Sequence, residues 1–508
     1  YAAVWQVLNA LRSTDERFNA IVNQLQLNKK KPENINIINP GKGRPRKPYS
    51  ETDSSNGVDV DTPQQMELEL WDNIENAIFG KIVQKVGDRR YLEDWSKDVN
   101  EIAQRYIRWI NERLEDKDNP IKEEFDKFIS SLRHNINESI TQESAVEMLA
   151  QHLITKPVFE ALFDEYSFVN NNPVSTAMES IVAELQKAGF EKEQEKLEPF
   201  YESVKLRASG IDNAEGKQKI IVTLYDKFFS TGFKSTTERL GIVFTPVEVV
   251  DFIIHSVDDV LKKHFGKSLA DEGVNILDPF TGTGTFIVRT LAYLKQQMDN
   301  GEITLADITR KYTQELHANE IVLLSYYIAA INIEATFDEI KGEEGYVPFE
   351  GIVLTDTFES TETEDTLDDE YFGTNDERLT KQKSLPITAI FGNPPYSIGQ
   401  SSVNDDNANL SYPKLEKSVE DTYSKYSNAK LTKSLNDTYI KAFRWATDRI
   451  DNKGVIGFIT NAGFIDSQSA DGLRKCWKEE FNYIYVFNLR GDAKRTSGEL
   501  RRKEGGNV

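Results

Sequence analysis

The sequence predicts an α/β fold in which an α-helical bundle precedes a doubly wound parallel sheet. Three observations support this prediction. Residues 66–235 carry apolar side chains at helical spacing almost without interruption. From about Gly241 the pattern changes to short apolar strands that alternate with helical segments. A glycine-rich turn directly follows the first of these strands, where a sheet of this class binds its ligand.

Length and composition exclude several classes of protein. A chain of 508 residues holds two or three domains, because one core rarely grows past about 250 to 300 residues. No apolar run reaches the roughly 18 residues that span a bilayer. The single cysteine, Cys476, cannot form an internal disulfide, and the five histidines show no metal-ligand spacing with it. We therefore expect a cytoplasmic protein with no metal site.

A net charge of −22 opposes simple binding to nucleic acid. Net charge governs solubility and steering rather than one particular site. A DNA-binding face would therefore need a local basic patch, unless the main grip on the phosphates lies in other parts of a longer protein.

The first 65 residues predict the end of an upstream domain and a linker. Residues 1–28 have helical spacing and begin at Tyr1 rather than at Met, so we expect an excerpt of a longer protein. Residues 29–65 are polar and rich in Pro, Gly and Lys, which is typical of a linker. The Gly-Arg-Pro within 41–48 also resembles a hook for A·T-rich minor grooves, and we favour the solvated linker.

The helical and sheet regions follow. Residues 66–235 predict a bundle of amphipathic helices without obvious chemistry, which we interpret as a structural coupler between neighbouring domains. Two stretches interrupt the sheet pattern: the acidic run 359–377 and the polar run 397–436, which is either a substrate-side lid or a surface excursion. The strands are predicted at 275–277, 315–318, 352–354, 387–391, 455–460 and 483–487.

Acidic and glycine residues follow the first three strands. Asp278, Phe280, Gly282 and Gly284 form a turn that leads into a helix near Thr285. Glycines let a ligand approach the backbone, and the spacing is neither that of a phosphate loop nor that of the dinucleotide fingerprint. The turn therefore indicates a nucleoside cofactor, with a purely structural turn as the alternative.

Two further carboxylates stand at strand ends. Glu320 follows the second strand, where it would accept ribose hydroxyls, and Asp356 follows the third, where it would accept an adenine amine. Each is equally typical of an ordinary helix or turn cap. Their order after the glycine turn favours the ligand role.

The sequence Asn393-Pro394-Pro395-Tyr396 follows the fourth strand and points to chemistry on a planar amine. The Asn393 side-chain oxygen and the Pro394 carbonyl would hold the two amine hydrogens, so that the lone pair faces a methyl donor. The two prolines fix the backbone, and Tyr396 offers a face for a base that has been flipped out of the duplex.

Residues 278–286 followed by 393–396 resemble the amino-methyltransferases that act on DNA adenine, and 241–246 looks like their additional cofactor-contacting motif. This order is similar to that of Type I modification subunits. The flanking sequences 244–252, 319–327, 488–491 and 495–500 resemble more closely the single-chain Type ISP restriction-modification enzymes, in which a nuclease and a helicase-like motor precede the coupler.

The resemblance implies a Rossmann-like methyltransferase sheet that uses S-adenosylmethionine to methylate N6 of a flipped adenine in double-stranded DNA. It divides the chain into the end of a motor (1–28), a linker (29–65), a coupler (66–235) and a methyltransferase domain cut short at its C-terminus (236–508). A target-recognition domain would follow. Asn393, Pro394, Pro395 and Tyr396 would be catalytic. The cofactor would be held by Phe244, Thr245, Pro246, Asp278, Phe280, Gly282, Gly284, Glu320 and Asp356.

Three alternatives remain open at this point. Asn-Pro-Pro-Tyr also serves enzymes that methylate a protein glutamine amide or a guanine amine of ribosomal RNA, because each substrate presents a planar NH₂. The third alternative is a non-catalytic module that binds DNA or cofactor and couples domains.

Overall fold

The computed structural model describes nine segments of the chain. These are residues 89–116, 119–162, 171–190, 245–342, 345–362, 371–395, 410–429, 433–450 and 452–489. The predicted helical end at 1–28, the linker at 29–65 with its hook alternative, Phe244 and Tyr396 lie outside these segments.

The N-terminal described region is helical, as predicted. It contains α1 (Arg89–Leu114), α2 (Pro120–Asn135), α3 (Gln142–Leu162) and α4 (Pro173–Lys187). Helices α2 and α4 have the same kind of N-cap. The side chains of Asn119 and Asn172 accept a backbone N–H in the first turn, and a proline follows each of them.

The second region is a five-stranded sheet whose neighbouring strands are all parallel, which confirms the predicted fold class. Its order is β3-β2-β1-β4-β5, so the chain reverses direction across the sheet between β1 and β4. Ligands bind at such a switch point, beyond the carboxyl ends of the strands. The strands are β1 (Asn275–Asp278), β2 (Leu316–Glu320), β3 (Ile352–Leu354), β4 (Ile387–Gly392) and β5 (Val455–Phe458).

Helices surround this sheet. The longer ones are α5 (Val247–Phe265), α6 (Thr285–Asp299), α8 (Leu323–Lys341), α9 (Gly373–Ser384), α11 (Thr438–Ile450) and α13 (Asp471–Glu480). The short ones are α7 (Leu305–Arg310), α10 (Pro413–Val419) and α12 (Gly463–Asp466). None of the described helices combines the length and apolar character needed to cross a membrane.

The predicted strand at 483–487 is wrong. This segment pairs with no strand within the described residues, and it lines one groove together with β5. Its side chains are exposed, and Tyr483 stacks on His264 of α5 with the ring centroids 3.9 Å apart. The run of aromatic and β-branched residues has the propensity of a strand, but a strand also needs a hydrogen-bonding neighbour.

Helix α8 joins the two regions. Most of its side chains are buried, since the sheet lies on one side of it and the bundle on the other. Tyr327 is 2.9 Å from Nδ1 of His152 in α3, and Asn172 donates to the Tyr326 hydroxyl at 3.1 Å. One continuous apolar core therefore extends from the bundle into the sheet region.

The described part of the polar run 397–436 packs against the sheet region. Tyr412 and Leu415 are buried beside Phe358, which lies just beyond β3. The acidic run 359–377 leads into α9, whose Asn375 side chain bonds both the N–H and the carbonyl of Leu354 at 3.0 Å. This amide covers the edge of β3 where a further strand would otherwise pair.

Candidate functional site

The sequence-predicted carboxylates and amides meet at the carboxyl edge of the sheet. Asp278 ends β1 and Glu320 ends β2, while Asn393 directly follows β4. Asp356 lies two residues beyond β3. Asp278 and Asn393 flank the switch point, where the topology leaves room for a ligand.

The glycine turn is held in place by Glu320. Its Oε2 accepts the N–H of Gly282 at 2.6 Å, and its Oε1 accepts that of Val322 at 2.8 Å. The backbone N–H of Thr281 also bonds to the carbonyl of Asn319 at 3.0 Å. The second strand end therefore sets the shape of the turn, a role that the sequence did not predict. Burial raises the pKa of Glu320 to about 7.

Gly284 lies where the turn meets α8. Its φ is 87°, and a Cβ there would lie 3.1 Å from the Cα of Ala329. Gly284→Ala should lower the free energy of unfolding by about 3 kcal/mol, because left-handed strain and backbone crowding add together.

Urea unfolding without ligand measures this loss. Gly282→Ala is the matched control, because its φ is 57° and a Cβ there meets nothing within 4 Å. It should lose only about 1 kcal/mol from left-handed strain. Equal losses in the two variants would contradict the packing argument.

Asp278 has a buried carboxylate that is only half satisfied. Oδ1 accepts the N–H of Phe280 at 3.1 Å, whereas Oδ2 has no hydrogen-bond partner within the described residues. Burial, and to a smaller degree the nearby charge of Glu320, raises the pKa of Asp278 to about 8. A buried acceptor without a partner costs free energy, so this atom is suited to a ligand that donates a hydrogen bond. The buried Oδ1 of Asn319 also has no partner in the described segments.

Gly392, the last residue of β4, brings the Asn-Pro-Pro turn against this carboxylate. A Cβ at this position would lie 2.8 Å from Oδ1 of Asp278. Only glycine therefore allows the two strand ends to approach so closely.

The Asn-Pro-Pro turn is anchored by two threonines. Nδ2 of Asn393 donates to Oγ1 of Thr245 at 3.1 Å, so the acceptor end of the amide faces away from Thr245. Thr438, the first residue of α11, donates its hydroxyl to the carbonyl of Pro395 at 2.6 Å. Pro394 is buried between these anchors, whereas Pro246, next to Thr245, is exposed.

Asp356 differs most from the sequence-based expectation. Its Oδ2 accepts from Nδ2 of Asn137 and from the hydroxyl of Tyr412, both at 2.9 Å. Its Oδ1 accepts from the N–H groups of Phe358 at 2.9 Å and Glu359 at 3.4 Å. The carboxylate expected to meet a ligand amine therefore already binds the helical region.

Aromatic rings surround this carboxylate. The ring of Phe280 lies 5.6 Å from that of Phe358, which in turn lies 5.2 Å from that of Tyr412. These rings form a wall on which a planar group can stack.

Sequence reasoning missed Asn137, Gly392, Tyr412 and Thr438. Gly392 could have been identified from the sequence, because it lies between the predicted strand 387–391 and Asn393. No sequence signal indicated the other three, because each acts through a partner that is distant along the chain.

Two family models match the chain. The coupler domain of Type ISP restriction-modification enzymes matches residues 91–216, and the N-6 DNA methylase family matches residues 217–468. A comparison with curated proteins gives no match.

Three solved structures are similar to the chain. A nuclease-deletion mutant of the Type ISP restriction-modification enzyme LlaGI, in complex with a DNA substrate mimic, is 64% identical with a TM-score of 0.79. The ATP-dependent Type ISP enzyme LlaBIII bound to DNA is 65% identical with a TM-score of 0.77. The DrdV–DNA complex is 33% identical with a TM-score of 0.73.

The similarity extends over most of this chain but over less than half of each relative. It covers 100% of this chain with LlaGI, 97% with LlaBIII and 86% with DrdV. The chain spans 38%, 31% and 41% of the respective lengths of those proteins.

Proposed function

The chain belongs to the Type ISP restriction-modification enzymes, of which it carries the coupler and the N-6 DNA methylase portion, and from this premise we propose how its site transfers a methyl group. The acceptor is N6 of an adenine that has been flipped out of double-stranded DNA, and the donor is S-adenosylmethionine. The main support is the position of the Asn393 amide. Thr245 orients this amide beside the carboxylate of Asp278, whose Oδ2 has no hydrogen-bond partner among the described residues.

The residues at the switch point fit the methyl donor. S-adenosylmethionine supplies an activated methyl group on a sulfonium, and it carries amines and hydroxyls that need buried acceptors. Asp278 Oδ2 and Asn319 Oδ1 are such acceptors. Gly282 keeps the turn open to a ligand, since a Cβ there would meet nothing within 4 Å, Gly284 lets the same turn pack against α8, and Phe280 adds an aromatic surface. In this proposal Glu320 shapes the turn, Thr245 and Pro246 border the donor at the start of α5, and the resemblance adds Phe244 to the residues that bind the donor.

The adenine amine is held by acceptors rather than deprotonated by a base. Oδ1 of Asn393 and the carbonyl of Pro394 accept its two hydrogens, which turns the nitrogen lone pair toward the methyl group. Thr245 fixes the Asn393 amide, while Thr438 and the two prolines fix the turn. Tyr396 stacks on the flipped base. The proton leaves to water after the methyl group has been transferred.

The matches to a DNA methylase family and to a Type ISP coupler favour DNA over the protein-glutamine and ribosomal-RNA alternatives. We place the coupler at 66–235 and the methyltransferase domain at 236–508. In the complete protein, nuclease and motor domains would precede them and a target-recognition domain would follow. Such an enzyme would act in the cytoplasm.

Incubation of the full-length enzyme with methyl-labelled S-adenosylmethionine and duplex DNA that contains its recognition sequence tests this function. We expect label in N6-methyladenine and none in cytosine. Duplex that is already methylated at the target adenine is the control and should take up no label. Absence of methyl in adenine, with cofactor bound and target DNA present, would refute the proposed function.

A further inference from the structure

The carboxylate of Asp356 lies at a junction between the helical region and the sheet region. Asn137, in the loop that follows α2, reaches it from a position 219 residues earlier in the chain. Tyr412 reaches it from the segment that precedes α10. The exposed fractions of Asn137, Asp356 and Tyr412 are 2%, 3% and 6%, so the contact is shielded from water.

The loop prepares Asn137 for this contact. Oδ1 of Asn137 accepts the backbone N–H of Ser139 at 3.1 Å and the Ser139 hydroxyl at 2.6 Å. These two bonds identify the opposite end of the amide, Nδ2, as the donor to Asp356. The loop closes on itself through the N–H of Ile140, which donates to the carbonyl of Asn137 at 3.3 Å.

The four hydrogen bonds on Asp356 are unequal. A carboxylate accepts about four, two on each oxygen. Asn137 and Tyr412 occupy Oδ2 with short bonds, whereas the bond from Glu359 to Oδ1 is long, at 3.4 Å. An incoming donor can therefore replace the weak bond from Glu359 on Oδ1, while Oδ2 keeps both of its partners.

We propose that Asn137 is a positioning residue of the cofactor site, through which the helical coupler holds the Asp356 carboxylate ready for the adenine amine of S-adenosylmethionine. This inference rests on the proposed function. It makes the coupler a part of the cofactor site rather than only a spacer between domains. Because binding is reciprocal, the cofactor must in turn stabilise the contact between the coupler loop and the methylase portion.

The protonation of Asp356 should make the effect of Asn137 on cofactor affinity depend on pH. Burial raises the pKa of Asp356, and the hydrogen bonds from Asn137 and Tyr412 oppose that rise. Without Asn137 the carboxyl group retains its proton to higher pH and holds the amine less well. The nearby charged groups on the packed elements are Glu138, Glu359, Glu362, Glu416 and Lys441.

The affinity of the full-length enzyme for S-adenosylhomocysteine, measured by calorimetry at about pH 6 and about pH 8.5, tests the proposal. Asn137→Ala should weaken binding about tenfold at the lower pH and about threefold at the higher, relative to the unmodified enzyme at the same pH. Asp278 and Glu320 are present in both enzymes, so the effect of their titration on affinity drops out of this ratio. Equal affinities of Asn137→Ala and the unmodified enzyme, or the same loss of affinity at both pH values, would overturn the proposal.

Asn135 provides the matched control. It lies two residues away, is equally buried, and its Oδ1 accepts from Asn375 at 3.0 Å rather than from Asp356. Asn135→Ala therefore disturbs the same interface without touching the carboxylate, and any loss of affinity should be the same at both pH values. A loss that depends on pH in this variant would also refute the role assigned to Asn137.

Two further measurements do not depend on the stability of the alanine variant. Asn137→Asp keeps the shape and the Ser139 contacts but replaces the donor by an acceptor, so its loss should exceed that of alanine. In the unmodified enzyme, S-adenosylhomocysteine should slow amide hydrogen exchange at Ile140. Unchanged exchange in an enzyme that binds the ligand would overturn the coupler's role, whereas failure of the unmodified enzyme to bind at all would contradict the proposed function instead.

Discussion

Asn393→Ala is expected to reduce the rate of methyl transfer by at least about a thousandfold, while the affinity for S-adenosylhomocysteine changes less than about threefold. The amide is anchored on Thr245, and in the proposed mechanism its acceptor end faces the target amine. Alanine removes that acceptor but leaves the glycine turn and Asp278 in place. Single-turnover transfer to target duplex measures the rate, and calorimetry measures the affinity.

Thr245→Val provides a graded comparison. Valine has nearly the shape of threonine but cannot accept the hydrogen bond from Asn393, so the amide keeps its acceptor and loses one anchor. We expect the transfer rate to fall about tenfold. If Asn393→Ala loses cofactor binding as well as transfer, then Asn393 belongs to the cofactor site and its assigned role is wrong.

Asp278→Asn is expected to weaken binding of S-adenosylhomocysteine about a hundredfold. Oδ2, which has no partner among the residues that the structure describes, is the buried acceptor that we assign to the ligand, and the amide of asparagine can place a donor where that acceptor was. The loss should appear in affinity without any requirement for DNA. Equilibrium binding to the full-length enzyme therefore measures it directly.

The pH dependence of binding gives a second test of Asp278. Burial raises its folded-state pKa to about 8, above the ordinary 3.8, so the ligand-free protein retains a proton there at neutral pH. This raised pKa makes folding stability fall as pH rises from about 4 to about 8. A ligand that donates to the carboxylate favours the ionised form, so its affinity should increase with pH up to about 8.

The corresponding increase should be smaller in Asp278→Asn. Glu320, whose pKa is raised to about 7, and Asp356, whose pKa is also raised by burial, contribute the remainder. Asp258→Asn is the matched control, since Asp258 of α5 is equally buried but bonds to Leu269 in the loop after α5 and to Tyr293 on α6, away from the carboxyl ends of the strands. Asp258→Asn should lower the free energy of unfolding and leave the affinity for S-adenosylhomocysteine and its pH profile unchanged. The same loss of affinity in Asp258→Asn and Asp278→Asn would point to general destabilisation.

Local patterns were sufficient for much of the fold and part of the site. Five of the six predicted strands overlap β1, β2, β3, β4 and β5 to within two residues at each end. Apolar runs with polar residues at their ends carry that information within a few positions. The predicted helix start near Thr285 is also confirmed. The strand at 483–487 failed because propensity cannot supply a neighbour.

The sequence by itself determined the glycine turn, the Asn-Pro-Pro-Tyr motif and the order of the carboxylates, since each depends on residues close together in the chain. Only the tertiary structure showed that Glu320 shapes the turn, that Thr245 and Thr438 anchor the Asn-Pro-Pro turn, and that Asn137 of the coupler binds Asp356. Those contacts join residues 38, 148, 43 and 219 positions apart. Hydrogen bonds over such separations depend on how the bundle packs on the sheet, and local periodicity does not encode that packing.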